Sequence, residues 1–225
     1  MGLISTILKS SILKKQVVAI TGLVLIGFVI GHLAGNFFIY GGPEAFNHYA
    51  DKLKSLRPAL NVVEACLVII FFIHIFLTYL IVLENINARK TRYETVVPKE
   101  QTISSRLMPY TGTIILAFVI WHLMDFTFID HNGPQSILKD GISYGLYGIV
   151  YNAFCNPVHS LFYIIAMLAL GFHLSHAIQS AFQTFGFYHA SYTPRIKSLS
   201  NFLSLIITFG YITIPVYIFI KNSNF

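Results

Sequence analysis

The stretch KKQVVAITGLVLIGFVIGHLAGN, Lys14 to Asn36, begins with two lysines and then runs without charge until it ends on asparagine, interrupted by one histidine, His32. Crossing a bilayer as a helix takes about 20 predominantly apolar residues, and this run supplies them. It is too long for a signal-peptide core and has no small-residue cleavage site behind it, so it reads as a retained first anchor. Four more apolar runs of similar length follow, and the five lie near residues 17–40, 59–83, 109–130, 157–181 and 199–220. With 55% hydrophobic and 11% charged residues, the chain is too apolar for a soluble domain of 225 residues. The expectation is an all-α integral membrane protein, one five-helix bundle over 1–225, with Pro58, Pro109 and Pro157 marking helix boundaries.

Charge gives an orientation. Lys9, Lys14, Lys15, Arg89, Lys90, Arg92, Lys99, Arg106, Arg195 and Lys197 fall on one side of a five-helix chain, and Lys52, Lys54, Arg57, Lys139 and Lys221 on the other. Ten against five places the N-terminus in the cytoplasm. The net charge of +6 sits between apolar runs rather than among exposed aromatics, which speaks for topology and anionic lipid rather than nucleic acid. Tyr144, Tyr147 and Tyr151 suit an outer interfacial belt. Cys66 and Cys155 fit neither a disulfide framework nor a zinc site and read as packing residues.

Nine histidines are present, and His32, His74, His122 and His173 each lie well inside a different one of the first four helices. At 1.5 Å per residue from the cytoplasmic edge, His32 and His122 lie roughly 22 and 20 Å deep, and His74 and His173 roughly 13 and 12 Å. His176 lies at only roughly 8 Å, out of level with His74. Two level pairs of imidazoles on facing helices are what two stacked b haems require, one pair on each iron. Gly27, Gly31 and Gly35 form a smooth stripe beside His32, which serves close helix packing or leaves room for a porphyrin. No internal repeat is read in the chain, and with no paired broken helices this argues against a haem-free transporter relaying protons through the intramembrane His, Glu and Asp.

The run 14–36, with EAFNHYADKLKSL (44–56), FVIWHLMD (118–125), FHLSHAIQSAFQTFG (172–186) and TPRIKSLS (193–200), resembles the cytochrome b membrane anchor of succinate:quinone oxidoreductases. The kind resembled is the single-subunit, five-helix, dihaem anchor of bacterial succinate dehydrogenases and fumarate reductases. The likeness covers nearly the whole chain and rests on the order of the motifs together with the histidine spacing. It implies His32 and His122 as ligands of a distal haem and His74 and His173 as ligands of a proximal one. It also implies a quinone substrate, usually menaquinone, a flavoprotein and an iron–sulfur subunit on the cytoplasmic face, and an inner-membrane location, with the whole complex a monomer or a dimer. Ala177 stands where members often have Gly. Gly171 stands where fumarate reductases proposed to move protons carry Glu, so a proton path of that kind is not expected here.

Glu64, Asp125 and His159 lie near the outer ends of helices and outline a quinone pocket able to exchange protons, or simply reach interfacial water. Arg106, Gln179, Arg195 and Lys197 are placed to meet haem propionates or to obey the positive-inside rule. His48, His131 and His189 fall in loops and receive no role. Phosphate loops and flavin fingerprints are absent and two distant cysteines cannot hold a cluster, so dicarboxylate chemistry belongs to partner subunits. A dihaem anchor of a hydrogenase or formate dehydrogenase fits the same residues.

Overall fold

The structure, a computed structural model, describes residues 2–88 and 103–223. It is helical throughout, with a single bridge between Ile137 and Ser143 as the nearest approach to a strand among the described residues. A short α1 (Leu3–Lys9) leads into α2 (Ser11–Asn36), whose first turn is capped by the Ser10 hydroxyl accepting from the Leu13 N–H. The chain tightens into a 3-10 turn (Phe37–Gly41) and passes through Gly42, at φ +86°, into α3 (Gly42–Ser55). A residue with a Cβ rarely adopts that φ. Then come α4 (Ala59–Ala88), α5 (Ile103–Phe126), α6 (Gly145–Cys155), α7 (Pro157–Thr184) and α8 (Thr193–Ser223).

Five helical segments are long and apolar enough to cross a membrane. They correspond to the five expected runs, with shifted ends. The first ends at Asn36 rather than 40, because the 3-10 turn takes over. The third begins at Ile103, with Pro109 inside it rather than at its start. There the proline falls in the second turn, where a helix bears the loss of one N–H more readily than at its centre. The fifth begins at Thr193 and absorbs the TPRIKSLS run, with Pro194 in the first turn, a position that needs no N–H donor. Arg89, Lys90, Arg92 and Lys99, counted for orientation, lie outside the described residues.

Packing is uneven. α7 lies at the centre, against α8, α5 and α2, whereas α4 packs chiefly on α2. Val62, Val68, Ile69, Phe72 and Phe76 of α4 are more than half exposed, as side chains facing lipid must be. Cys66 is exposed on the same helix, so it does not pack inside as expected; Cys155 is half-buried, and burial pushes its thiol up. At the N-terminal end, Lys14 is 2% exposed and joins Glu84 of α4 in an ion pair while also donating to the Leu8 carbonyl, 3.1 Å away.

The opposite end is closed by a cap. α3 and α6 cross it, and Ile39, Phe46, Tyr147, Val150, Phe154, Tyr163, Ile214 and Ile218 form its core. Tyr147, expected in an interfacial belt, is 3% exposed and belongs to this core, because α6 turns it inward onto Phe46. In the loop before α6, the Ile142 N–H and the Tyr144 hydroxyl both donate to Asp140 and hold its carboxyl below the usual range. Asn47 of α3 ties the cap together: its amide donates to the Tyr144 carbonyl (2.8 Å) and accepts from the Tyr147 N–H (3.0 Å) at the start of α6. Asn47→Ala leaves both backbone groups unpaired and is expected to cost about 1–3 kcal/mol, read as a lower thermal midpoint of the detergent-solubilised protein.

Candidate functional site

An imidazole inside a bilayer is costly unless its nitrogens find partners, so each buried histidine has to be accounted for atom by atom. His32 of α2 and His122 of α5 meet across the bundle with ring centres 5.8 Å apart and planes at 86°. Phe28 stacks on His32 at 5.5 Å; Phe118 and Phe126 flank His122 at 5.6 and 5.2 Å. On the α8 side Tyr211 lies 6.3 Å from the His32 ring and donates to the Val29 carbonyl of α2 at 2.7 Å. The Nδ1 of His122 is buried without a hydrogen-bond partner.

His74 of α4 and His173 of α7 form the second pair, with His173 within electrostatic reach of both His74 and His176. Here the Nδ1 atoms have partners. Thr21 Oγ1 lies 3.0 Å from Nδ1 of His74, and Thr111 Oγ1 lies 3.2 Å from Nδ1 of His173. Each threonine is followed by a glycine: a Cβ on Gly22 would stand 3.3 Å from Cε1 of His74, and one on Gly112 would stand 3.6 Å from Cε1 of His173. The first distance is tight, so the missing side chain of Gly22 lets the His74 ring lie close against α2, whereas the second is an ordinary van der Waals contact.

These threonines were not singled out from the sequence, yet a signal for them is there. TGLVLIGFVIGHL (21–33) and TGTIILAFVIWHL (111–123) share Thr, Gly, Phe-Val-Ile and His-Leu in register, so an internal repeat exists after all. It was missed because it spans only part of a helix and recurs one helix pair later, inside runs whose apolar composition masks identity.

The residues can hold a planar metal macrocycle. The His32–His122 separation is close to twice the roughly 3 Å from an imidazole centre to a bound metal. Cβ atoms on Gly27 and Gly31 would meet nothing within 4 Å, whereas at Gly35 the Tyr49 ring fills the space. The glycine stripe therefore divides, with two members facing open space and one packing.

At the capped end a cavity of about 330 Å³ is lined by Asp125, His159, Gln135, Asn152, Asn156 and apolar residues including Met124 and Ile149. The Tyr163 hydroxyl donates to Oδ2 of Asp125 at 2.7 Å. His159 Nε2 lies 3.2 Å from the same oxygen but out of line for a hydrogen bond, and its ring stacks on Tyr163 at 4.8 Å. Asn156 caps α7 through the N–H groups of Val158 and His159, which fixes where His159 leaves the helix. Asp125 and His159 are thus brought together as expected. Glu64 is not: it is half exposed, paired with Arg57 at 3.2 Å, and does not line the cavity. Tyr163, one turn after His159, is the member that sequence reading missed. Arg106, Arg195 and Lys197 are exposed and Gln179 is half-buried.

Fold and site together define a multi-pass helical membrane protein whose bundle holds two histidine pairs, one beyond the other along the helices. The chain is similar to the succinate dehydrogenase cytochrome b558 subunit of Bacillus subtilis (strain 168), 28% identical over 196 residues, or 86% of this chain and 88% of that one. As a succinate dehydrogenase cytochrome b subunit, that protein agrees with the family the sequence motifs resemble. No family model matches the chain, and no solved structure gives a significant match.

Proposed function

We propose that this chain is the membrane-anchor cytochrome b subunit of a succinate dehydrogenase or fumarate reductase. The observation that carries the proposal is the meeting of His32 and His122 from helices with no extensive mutual packing, alongside a second pair one level away. In this reading His32 and His122 hold the iron of a distal haem b, and His74 and His173 that of a proximal one. Bound there, the haems carry single electrons between an iron–sulfur subunit, paired with a flavoprotein at the cytoplasmic face, and quinone in the membrane. The basic N-terminal end faces the cytoplasm of a bacterial cell, and the cap faces outward.

The cavity at the capped end suits a quinone ring, menaquinone by resemblance, beside the distal pair. A quinol giving up its hydroxyl protons needs a base within hydrogen-bond reach. The Asp125 carboxylate and His159 Nε2 border the cavity, and Tyr163 holds Oδ2 of Asp125 in place.

Two measurements test this reading. A pyridine haemochrome assay is expected to give two low-spin b haems per chain. His173→Ala should lose the proximal low-spin signal and His176→Ala should keep it, since positions three apart differ by about 4.5 Å in height and about 60° in direction, too far for both rings to reach one iron. Survival at His173→Ala with loss at His176→Ala would exchange the two roles. In quinone-linked turnover, Asp125→Asn is expected to fall by about 100-fold and Tyr163→Phe by about 10-fold with both haem spectra retained. Glu64→Gln should leave turnover unchanged.

A further inference from the structure

The hydroxyl of Thr21 lies 2.8 Å from the Val17 carbonyl and 3.1 Å from that of Val18; the hydroxyl of Thr111 lies 3.1 and 3.2 Å from the carbonyls of Leu107 and Met108. A carbonyl only accepts, so each threonine hydroxyl has acceptors for its single hydrogen within its own helix. What each oxygen then offers the histidine is a lone pair. We infer that Thr21 and Thr111 are positioning residues that accept the Nδ1–H of His74 and His173, locking both rings in the tautomer whose Nε2 is free to bind iron. The inference rests on the haem reading above and goes beyond it, since it assigns a role to residues that touch no iron.

At the His74 level Gly22 completes the device, since a Cβ there would stand only 3.3 Å from Cε1 of the ring. His122 differs, for its Nδ1 has no hydrogen-bond partner. The two levels are therefore supported unequally, and removing a threonine should be felt at one haem alone. An acceptor on the far nitrogen raises the basicity of a ligating imidazole and stabilises the oxidised metal.

The test is a redox titration of the purified full complex, wild type against Thr21→Val, Thr111→Val and the matching Ser variants, with haem counted in each. In the Val variants the midpoint of the proximal haem is expected to rise and its retention to weaken by about 10- to 100-fold, with the distal midpoint unmoved; the Ser variants should restore both. Equal shifts at both haems, or no shift in Val variants with full haem content, would overturn the role. Should the Val variants fail to accumulate, wild-type protein still decides it: two exchange-protected Nδ1–H protons assigned to His74 and His173 by magnetic resonance support the lock, and their absence removes it. Wild-type protein with no haem would defeat the haem reading itself, an outcome separate from all of these.

Discussion

The architecture depends on one constraint: an imidazole held in hydrocarbon is costly unless its ring nitrogens find partners, and lipid supplies none. At the His74 and His173 level one nitrogen of each ring is answered by a threonine on the adjacent helix. That pairing fixes which helices are neighbours. α2 must lie against α4 to bring Thr21 to His74, and α5 against α7 to bring Thr111 to His173, and these are two of the main packings of the bundle.

Much of this was legible in the sequence because depth in a membrane helix is a matter of counting. Residue number times rise paired His32 with His122 and His74 with His173, and the ring contact of the first pair and the proximity of the second follow that order. What counting could not supply was azimuth. Nothing in the spacing of Glu64 says that it turns toward Arg57, or that Tyr163 turns toward Asp125, because in an all-apolar helix no polar face reveals which side looks inward. The same uniformity hid the Thr-Gly repeat. Helix ends were misplaced where hydropathy continues through a change of backbone geometry, as at Phe37–Gly41, or where a proline suggested a stop that a helix tolerated.

The cap lies outside the five apolar runs because its helices are short, 14 residues in α3 and 11 in α6. Its physical task is set by the bundle beneath. Tyr163 belongs both to the cap core and to the Asp125 cluster, so the residues that close the end of the bundle also fix one wall of the cavity. Asn47 contributes at a distance by holding α6, whose Ile149, Asn152 and Ala153 line that cavity, against α3.

Thr21 and His32 are eleven residues apart on one rigid helix, as are Thr111 and His122 on another. Eleven residues make about three turns and about 16 Å, so threonine and histidine share a face at two heights. Each of these helices therefore works as a shaft geared at both ends: it carries a paired histidine at one level and a hydrogen-bond partner for a histidine at the other. Sliding or rotating such a shaft cannot disturb one level in isolation. The two histidine levels are coupled mechanically as well as by distance, and a drift in the pitch of either shaft would move both together.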